Sequence, residues 1–340
     1  MNTAPTDRLF FIDWLRILAF GLLVPYHVGM YYVTWDWHVK SPAASDAIEP
    51  LMMLSSPWRL SLLFFIGGVA CQMLLRKSEA APAAPTAPSG REGFLRRRAR
   101  QLLWPLLFGM LVVVPPQAWL EVVTKLHYPG SYADFMGLYL QAYHGFCGPE
   151  KCLTLPTWNH LWFLPYLWVY SVLAWLLHRH GAALLDRLGR RLEAIQPWQL
   201  LLLPGLPLAA ARMLVAQFES THNLTWDWYN HAQYLSIFLI GLLLARSGTL
   251  RPWSALQALR WPALILAVAA WGLWLSYIQA YESIDPPQAL RLAQRVMYGE
   301  MQWWAIAAAC GFAVRHLNHD SAARRLLSPA VFCVYILHQT

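Results

Sequence analysis

The first hydrophobic segment of the chain contains an arginine and a histidine, Arg16 and His27, in the run RILAFGLLVPYH. Eleven helical steps of about 100° return to within roughly 20° of the starting direction, so both side chains share one helix face, roughly 16 Å apart along the axis. Asp13 lies one turn before Arg16, within reach of an ion pair. Because contact between a charged group and lipid is costly, this spacing predicts a polar face directed toward the protein interior or an aqueous cavity.

A neutral imidazole can accept a proton at neutral pH, which makes His27 a candidate general base. Pro25 cannot donate a backbone hydrogen bond, so the carbonyl of Gly21 is left for another partner and a kink beside a cavity is expected. In an alternative interpretation, neither residue has a catalytic role. In it, Arg16 extends to the membrane interface and His27 is a buried polar group with satisfied hydrogen bonds.

Two further ionisable side chains occur in apolar runs: Glu300 in MYGEMQWW and His338 in VYILHQT. An ionisable group at membrane depth is a functional hypothesis by default, so both are candidate catalytic residues. Pairing with Arg295, or a position at a helix end, would account for Glu300 equally well.

A cluster of arginines precedes another apolar run, in REGFLRRRARQLLWP: Arg96, Arg97, Arg98 and Arg100. Guanidinium groups bind phosphate in a bidentate manner, so the cluster could bind a phosphate-bearing ligand. The alternative is the positive charge that cytoplasmic membrane ends generally carry, which is also attracted to anionic lipid headgroups.

The run TWNHLWFLPY places Asn159, His160 and Trp162 at the start of a further apolar segment. An indole face can stack on a sugar ring while the amide and the imidazole bind its hydroxyl groups, which makes these three residues candidate substrate ligands. An aromatic belt at the membrane interface with a polar helix start would produce the same pattern.

The composition indicates that membrane helices position these groups. Of the 340 residues, 57% are hydrophobic and 13% are charged, whereas soluble domains have about 25% charged residues. Apolar runs of about 17–20 residues recur, long enough to cross a bilayer as helices. The net charge of +8 is concentrated between these runs, so we expect it to set the membrane topology and expect no nucleic-acid partner.

We predict an all-α, polytopic transmembrane bundle. Its helices are expected near residues 10–33, 57–75, 101–120, 160–178, 199–217, 232–245, 261–280 and 296–314, with a last apolar run from residue 329. Lysine and arginine are concentrated in alternate connecting segments, which predicts a cytoplasmic N-terminus. We expect a multi-pass protein of the plasma membrane, which is the inner membrane if the source is a bacterium.

The chain is predicted to be one membrane domain over residues 1–340, with an Ala- and Pro-rich cytoplasmic linker at residues 78–90. The last apolar run reaches Thr340 and is shorter than a span of about 20 residues. Either the final helix is broken or the sequence stops within it. We favour the second, with at least one helix beyond.

Five cysteines fall into two groups. Cys71, Cys310 and Cys333 lie in apolar runs and are expected to be small core residues. Cys147 and Cys152 lie in HGFCGPEKCL, in a loop predicted outside the cytoplasm, where they are either a short disulfide or two free thiols. No spacing of His, Cys, Asp or Glu is typical of a metal site, so no metal is expected.

The first-helix pattern of Arg16, ten intervening residues and His27 resembles the signature of the membrane-bound acyltransferase-3 family. Four further stretches extend the resemblance over most of the chain: SPWRLSLLFFIGGVA (56–70), RRRARQLLWPLLFG (96–109), HLWFLPYLWVYS (160–171) and VYILHQT (334–340). In this order and at these spacings, the stretches are most similar to the glucan-biosynthesis C-type branch, which succinylates periplasmic glucans. Members of the family continue beyond the position where this sequence ends.

The resemblance implies about nine to ten helices and transfer of an acyl group, acetyl or succinyl in type, from cytoplasmic acyl-CoA to an extracytoplasmic carbohydrate. Acyl-CoA would be a substrate, with no permanently bound cofactor. The residue patterns and the resemblance together give His27, Arg16, Asp13, Glu300 and His338 as candidate catalytic residues, and Arg97, Arg98 and Arg100 as candidate donor-binding residues. Asn159, His160 and Trp162 would bind the acceptor.

In this interpretation His27 removes the proton of the acceptor hydroxyl as it attacks the thioester, although an acyl-histidine intermediate is also open. Arg16 would bind an anionic part of the donor or orient Asp13. A proton-coupled transporter that uses Arg16, His27 and Glu300 is the competing function class. Transporters often contain an internal two-fold repeat, and none is evident here, which favours the enzyme.

Overall fold

The computed structural model describes residues 9–80, 90–148, 152–247 and 249–339, which form fifteen α-helices and no β-strand. The first eight helices are α1 (Phe10–Tyr32), α2 (Glu49–Ser55), α3 (Arg59–Ala80), α4 (Gly90–Phe108), α5 (Val114–Leu126), α6 (Tyr132–Leu140), α7 (Phe163–His180) and α8 (Ala182–Ala194). The others are α9 (Pro197–Leu202), α10 (Gly205–Met213), α11 (Trp228–Arg246), α12 (Arg251–Ala258), α13 (Arg260–Ala280), α14 (Gln288–His316) and α15 (Ala322–Leu337). A π-helical segment, Gly109–Val113, joins α4 to α5, and a 3₁₀ turn, Asn159–Trp162, leads into α7.

Five helical stretches in the described part of the chain are long and apolar enough to cross a membrane: Phe10–Tyr32, Glu49–Ser78, Gly93–Leu126, Asn159–His180 and Arg260–Ala280. The chain bends by 117° between helices α11 and α12, and the two helices give a sixth span if they are counted as one. The prediction of an all-α polytopic membrane bundle is confirmed.

The predicted span at residues 199–217 is wrong as a single helix. Helix α9 ends at Leu202 and α10 begins at Gly205, because Pro204 between them has no backbone N–H to continue the helical hydrogen bonds. The predicted linker, residues 78–90, also overlaps two helices. Its described ends, 78–80 and 90, belong to α3 and α4, whereas residues 81–89 lie outside the described part of the chain.

The centre of the bundle is a close crossing of α3 and α11. A Cβ at Gly68 would overlap the backbone of Phe238, and a Cβ at Gly241 would overlap the backbone of Phe65. Glycines at these two positions therefore let the two helix backbones touch, as small residues commonly do in membrane interfaces. This crossing fixes the position of α3, whose first residue is Arg59.

The C-terminal ends of α3 and α11 lie together, since Arg76 donates a hydrogen bond to the carbonyl of Arg246. Arg246 in turn pairs with Asp186 of α8 at 2.8 Å. In the predicted topology this basic end of the bundle is cytoplasmic. Arg59 lies at the opposite end of α3, and His27 is near the C-terminus of α1, which is one continuous helix that includes Pro25.

Candidate active site

A cavity of about 1110 Å³ lies at the end of the bundle opposite the basic end. The wall contributed by helices includes His27, Arg59, Glu121 and Tyr335, and the loop wall includes residues 36–38, 152–154 and 219–223. The 3₁₀ turn before α7 contributes Asn159, His160 and Trp162. The cavity therefore collects side chains from six separate regions of the sequence.

His27 and His338 are in direct contact in this region. The Nδ1 atom of His27 lies 2.7 Å from the Nε2 atom of His338, and the two rings stack with their centroids 4.8 Å apart. The Nδ1 atom of His338 lies 2.7 Å from the carbonyl oxygen of Tyr335. Helix α15 packs along α1 and ends at Leu337, which places His338 just beyond the helix end and against His27.

These contacts fix the tautomers of both neutral rings. A carbonyl oxygen can only accept, so the Nδ1 atom of His338 carries the proton and its Nε2 atom accepts. His27 must then donate from Nδ1, which leaves the Nε2 atom of His27 unprotonated. An imidazole held in one tautomer, with its lone pair available to a cavity, is the arrangement that a general base requires.

His160 is the third histidine of this group. Its Nε2 atom donates to the carbonyl of Ile336 at 3.0 Å, and its own carbonyl accepts a hydrogen bond from the Tyr335 hydroxyl at 2.9 Å. Its ring meets that of His338 edge-on, with the centroids 5.1 Å apart. The Nδ1 atom is buried without a hydrogen-bond partner, so a second ring nitrogen with a free lone pair lies beside the pair.

The outer wall of the cavity is aromatic and polar. Trp162 lies against the ring of His222 at a centroid distance of 4.2 Å, and Trp158 donates its indole N–H to the carbonyl of His222. Burial lowers the pKa of His222, although the nearby Asp227 carboxylate opposes the shift. Asn159 donates to Gln117 at 3.0 Å. Aromatic rings beside amide groups suit a sugar, because they offer an apolar face and hydrogen-bonding groups together.

Sequence reasoning missed two features of the cavity. Two polar contacts join parts of its wall that are far apart in sequence: a hydrogen bond between His38 and Glu121 at 2.5 Å, and an ion pair between Lys125 and Asp36 at 2.6 Å. Arg59, the first residue of α3, is buried in the wall. The run SPWRLSLLFF could have indicated this position. An arginine at the start of an apolar membrane segment is costly in lipid and therefore tends to face the protein interior or a cavity.

Asp13 and Arg16 lie away from the cavity. The predicted pair between them is present at 3.7 Å, and Asp13 also pairs with Arg324 at 2.6 Å. Arg16 donates to the carbonyl of Ser328 at 3.0 Å. These contacts join α1 to α15 toward the basic end of the bundle, so Arg16 shares a helix with His27 but not its cavity.

Glu300 is also separate from the cavity. Its carboxylate is buried between α14 and α10, where a Cβ at Gly205 would overlap it, and its Oε2 atom has no hydrogen-bond partner. The alternative explanation, a contact with Arg295, is not among the ion pairs of the described residues. A catalytic role for Glu300 stays a prediction without geometric support from the histidine group.

The arginine cluster lies at the basic end. Arg97 and Arg98 line a small recess with Leu74, Phe94 and Gln101, and this recess shares no lining residue with the cavity. Arg98 is buried and donates to Ser171 of α7 at 3.1 Å, whereas Arg97 and Arg100 are exposed. The three predicted donor ligands are therefore not equivalent, because Arg98 also joins two helices.

The structure decides the state of the two loop cysteines and changes the assignment of one of the other three. Cys147 and Cys152 form a disulfide, which decides between the two alternatives. Cys71 and Cys310 are buried as expected, but Cys333 is exposed on α15, so its assignment to the core is wrong. Within the described ranges, no group of three or more His, Cys, Asp or Glu residues could hold a metal ion.

Comparison with known proteins identifies relatives of the whole chain. The family model described as an acyltransferase domain, of the acyltransferase-3 type, matches residues 9–340. Glucans biosynthesis protein C from Escherichia coli (strain K12) is 22% identical over 350 residues, which cover 99% of this chain and 83% of the relative. The proteins of the same name from Escherichia coli O157:H7 and Escherichia coli O9:H4 (strain HS) match with the same identity and coverage. No solved structure matches the chain with significance.

Proposed function

Because the chain belongs to the acyltransferase-3 family and is an integral-membrane acyltransferase, we propose that it transfers an acyl group from cytoplasmic acyl-CoA to a carbohydrate hydroxyl outside the cytoplasm. The observation that carries this choice of chemistry is the His27–His338 pair, which leaves one imidazole lone pair at the cavity. The expected location is the plasma membrane, which in a bacterium is the inner membrane. Acyl-CoA acts as a substrate, and no permanently bound cofactor takes part.

The acceptor hydroxyl would lie against the Nε2 atom of His27. As the hydroxyl oxygen attacks the thioester carbon, its proton passes to Nε2, and a C–O bond forms. The tetrahedral intermediate then releases the CoA thiolate, which takes the proton back from His27. His338 stabilises the imidazolium of the intermediate stage, because it already accepts the hydrogen bond from Nδ1 of His27.

The cavity wall supports a carbohydrate acceptor. The adjacent Trp162 and His222 rings, tilted by 41° to each other, offer apolar surface for a sugar, and Asn159 and His160 lie in the same 3₁₀ turn as Trp162. The relatives carry the name Glucans biosynthesis protein C, which favours a glucan among carbohydrates. A volume of about 1110 Å³ exceeds the upper end of ordinary small-molecule pockets, about 1,000 Å³, and so accommodates several sugar units.

The donor would bind from the basic end. CoA carries phosphate groups, and exposed guanidinium groups at a membrane surface bind phosphate strongly. Arg97 combines exposure with a place in the recess, and Arg100 lies one turn further along the same helix face. The two substrates would thus approach the histidine pair from opposite ends of the bundle.

The proposed reaction is tested with purified protein reconstituted in lipid vesicles. Radiolabelled acetyl-CoA or succinyl-CoA is supplied on the side of the arginine cluster, and a neutral glucan is supplied on the side of the cavity. We expect label to appear as an alkali-labile ester on the glucan, since a hydroxyl acceptor gives an ester. Proton-driven uptake of solute without ester formation would instead support the transporter class.

Arg97→Gln is expected to raise the KM for acyl-CoA about ten-fold, equivalent to about 1.4 kcal/mol, with the glucan KM unchanged. Arg97→Lys should recover only part of the affinity, because lysine lacks the bidentate fork. The matched control is Arg96→Gln, which removes an exposed charge from the same helix but not from the recess. Equal effects of both substitutions would return the cluster to a general role in membrane topology.

A further inference from the structure

Arg59 is a buried cation without an anion. Its residue is 5% exposed and it lines the cavity. Its Nε and Nη1 atoms have no hydrogen-bond partner, and none of the ion pairs between described residues includes it. Its partner is the ring of Tyr26, whose centroid lies 3.1 Å from the guanidinium carbon.

The other buried arginines of the described chain make side-chain hydrogen bonds, and one of them also makes ion pairs. Arg98 donates to Ser171, and Arg324 makes ion pairs with Asp13 and Asp320. Burying a charge costs free energy that hydrogen bonds and a counter-charge normally offset. A cation–π contact offsets only part of that cost, and Arg59 has no counter-charge among the described residues.

The backbone around Arg59 is held from two sides. The carbonyl of Pro57 accepts a hydrogen bond from Gln302 of α14 at 2.7 Å, and the remainder of α3 is fixed by its crossing with α11. Tyr26, which the guanidinium covers, directly precedes His27 in α1. The positive charge is therefore held in a defined position in the same cavity wall as the proposed base.

We propose that Arg59 binds a carboxylate carried by one of the two substrates and so selects for it. This rests on the proposed function for the identity of those substrates. The carboxylate is either at the far end of the transferred acyl group or on an acidic sugar of the acceptor. A carboxylate bound at the cavity wall beside Arg59 would supply the counter-charge that the described residues do not provide. Hydrogen bonds between a guanidinium and a carboxylate are among the stronger ones in proteins.

Two pairs of probes distinguish the sources, each measured as binding to purified protein without turnover. Succinyl-CoA is compared with butyryl-CoA, which has a methyl group in place of the carboxylate. Trigalacturonate is compared with galactotriose, which has neutral hydroxymethyl groups instead. In one pair, we expect the wild-type protein to bind the carboxylate probe at least about ten-fold more tightly. The pair that shows this preference identifies the source.

Arg59→Gln should abolish the preference while the affinity for the neutral probe stays within about two-fold. Arg59→Lys should retain part of it as a point charge. The control is Arg291→Gln, an arginine outside the cavity that pairs with Asp285, and it should behave as wild type. The absence of a carboxylate preference in both pairs, or its survival in Arg59→Gln, would overturn the proposal.

The melting temperature distinguishes a ligand-binding arginine from a purely structural one, because replacement of a structural arginine should lower it. Arg59→Met keeps the length of the side chain and removes an unpaired buried charge, so its melting temperature should equal or exceed that of wild type. A decrease of several degrees, or failure of the Arg59 variants to fold, would show an internal counter-charge and contradict the proposal. Because binding is measured without transfer, an Arg59-dependent preference in a protein that esterifies no glucan would reject the proposed function alone.

Discussion

Replacement of His27 by Gln is expected to reduce acyl transfer by about 10²–10⁴-fold, the usual contribution of a positioned general base. Gln has a similar size and can still form hydrogen bonds, but it cannot accept a proton at neutral pH. A histidine that only satisfies buried hydrogen bonds should tolerate this change. His27→Gln should therefore be nearly as inactive as His27→Ala.

The measurement is the rate of ester formation on the glucan, normalised to folded protein in the membrane. His180→Gln, at an exposed position near the end of α7, is the matched control and should retain wild-type activity. Melting temperatures of the His27 variants should change little, because the side chain borders a cavity. Near wild-type transfer by His27→Gln would disprove its role as the base and direct attention to the free Nδ1 atom of His160.

Replacement of His338 by Phe is expected to reduce transfer on the order of 10²–10⁴-fold, comparable with loss of the group that orients a catalytic histidine. Phe can stack on His27 but cannot accept its Nδ1–H, so the tautomer is no longer fixed and the imidazolium is not stabilised. His338→Gln offers a side-chain carbonyl as a substitute acceptor. It should recover at least ten-fold of the activity lost in the Phe variant.

The opposite responses of the two positions to Gln make this prediction specific. At His27 Gln should fail, because a lone pair that accepts protons is required there, whereas at His338 Gln should partly succeed, because a hydrogen-bond acceptor is sufficient. The rates of His338→Phe, His338→Gln and wild type are compared across pH 6–9 in the same vesicle assay. If Gln and Phe at position 338 are equally inactive, the ring itself is needed and the orienting role is wrong.

The sequence alone determined the class of the protein and most of its individual candidate residues. A membrane helix must consist of about 20 mainly apolar residues, so a polar residue within it is conspicuous and costly. His27 and His338 were recognised for this reason, and the 3.6-residue period placed Arg16 and His27 on one helix face. Asn159, His160 and Trp162 were grouped from sequence because they lie within one four-residue turn, and all three line the cavity.

Tertiary structure decided which of these residues meet. His27 and His338 are 311 positions apart, and helical periodicity specifies the face of a helix but not the neighbour packed against that face. The contact depends on α15 packing along α1, and the position of Arg59 depends on two glycines that let α3 and α11 approach. The same packing excluded Glu300 from the cavity and directed Arg16 toward Ser328, although both were as conspicuous in sequence as His27. Local patterns thus identify polar groups that membrane burial makes costly, whereas the pairing of those groups depends on close contacts between distant helices.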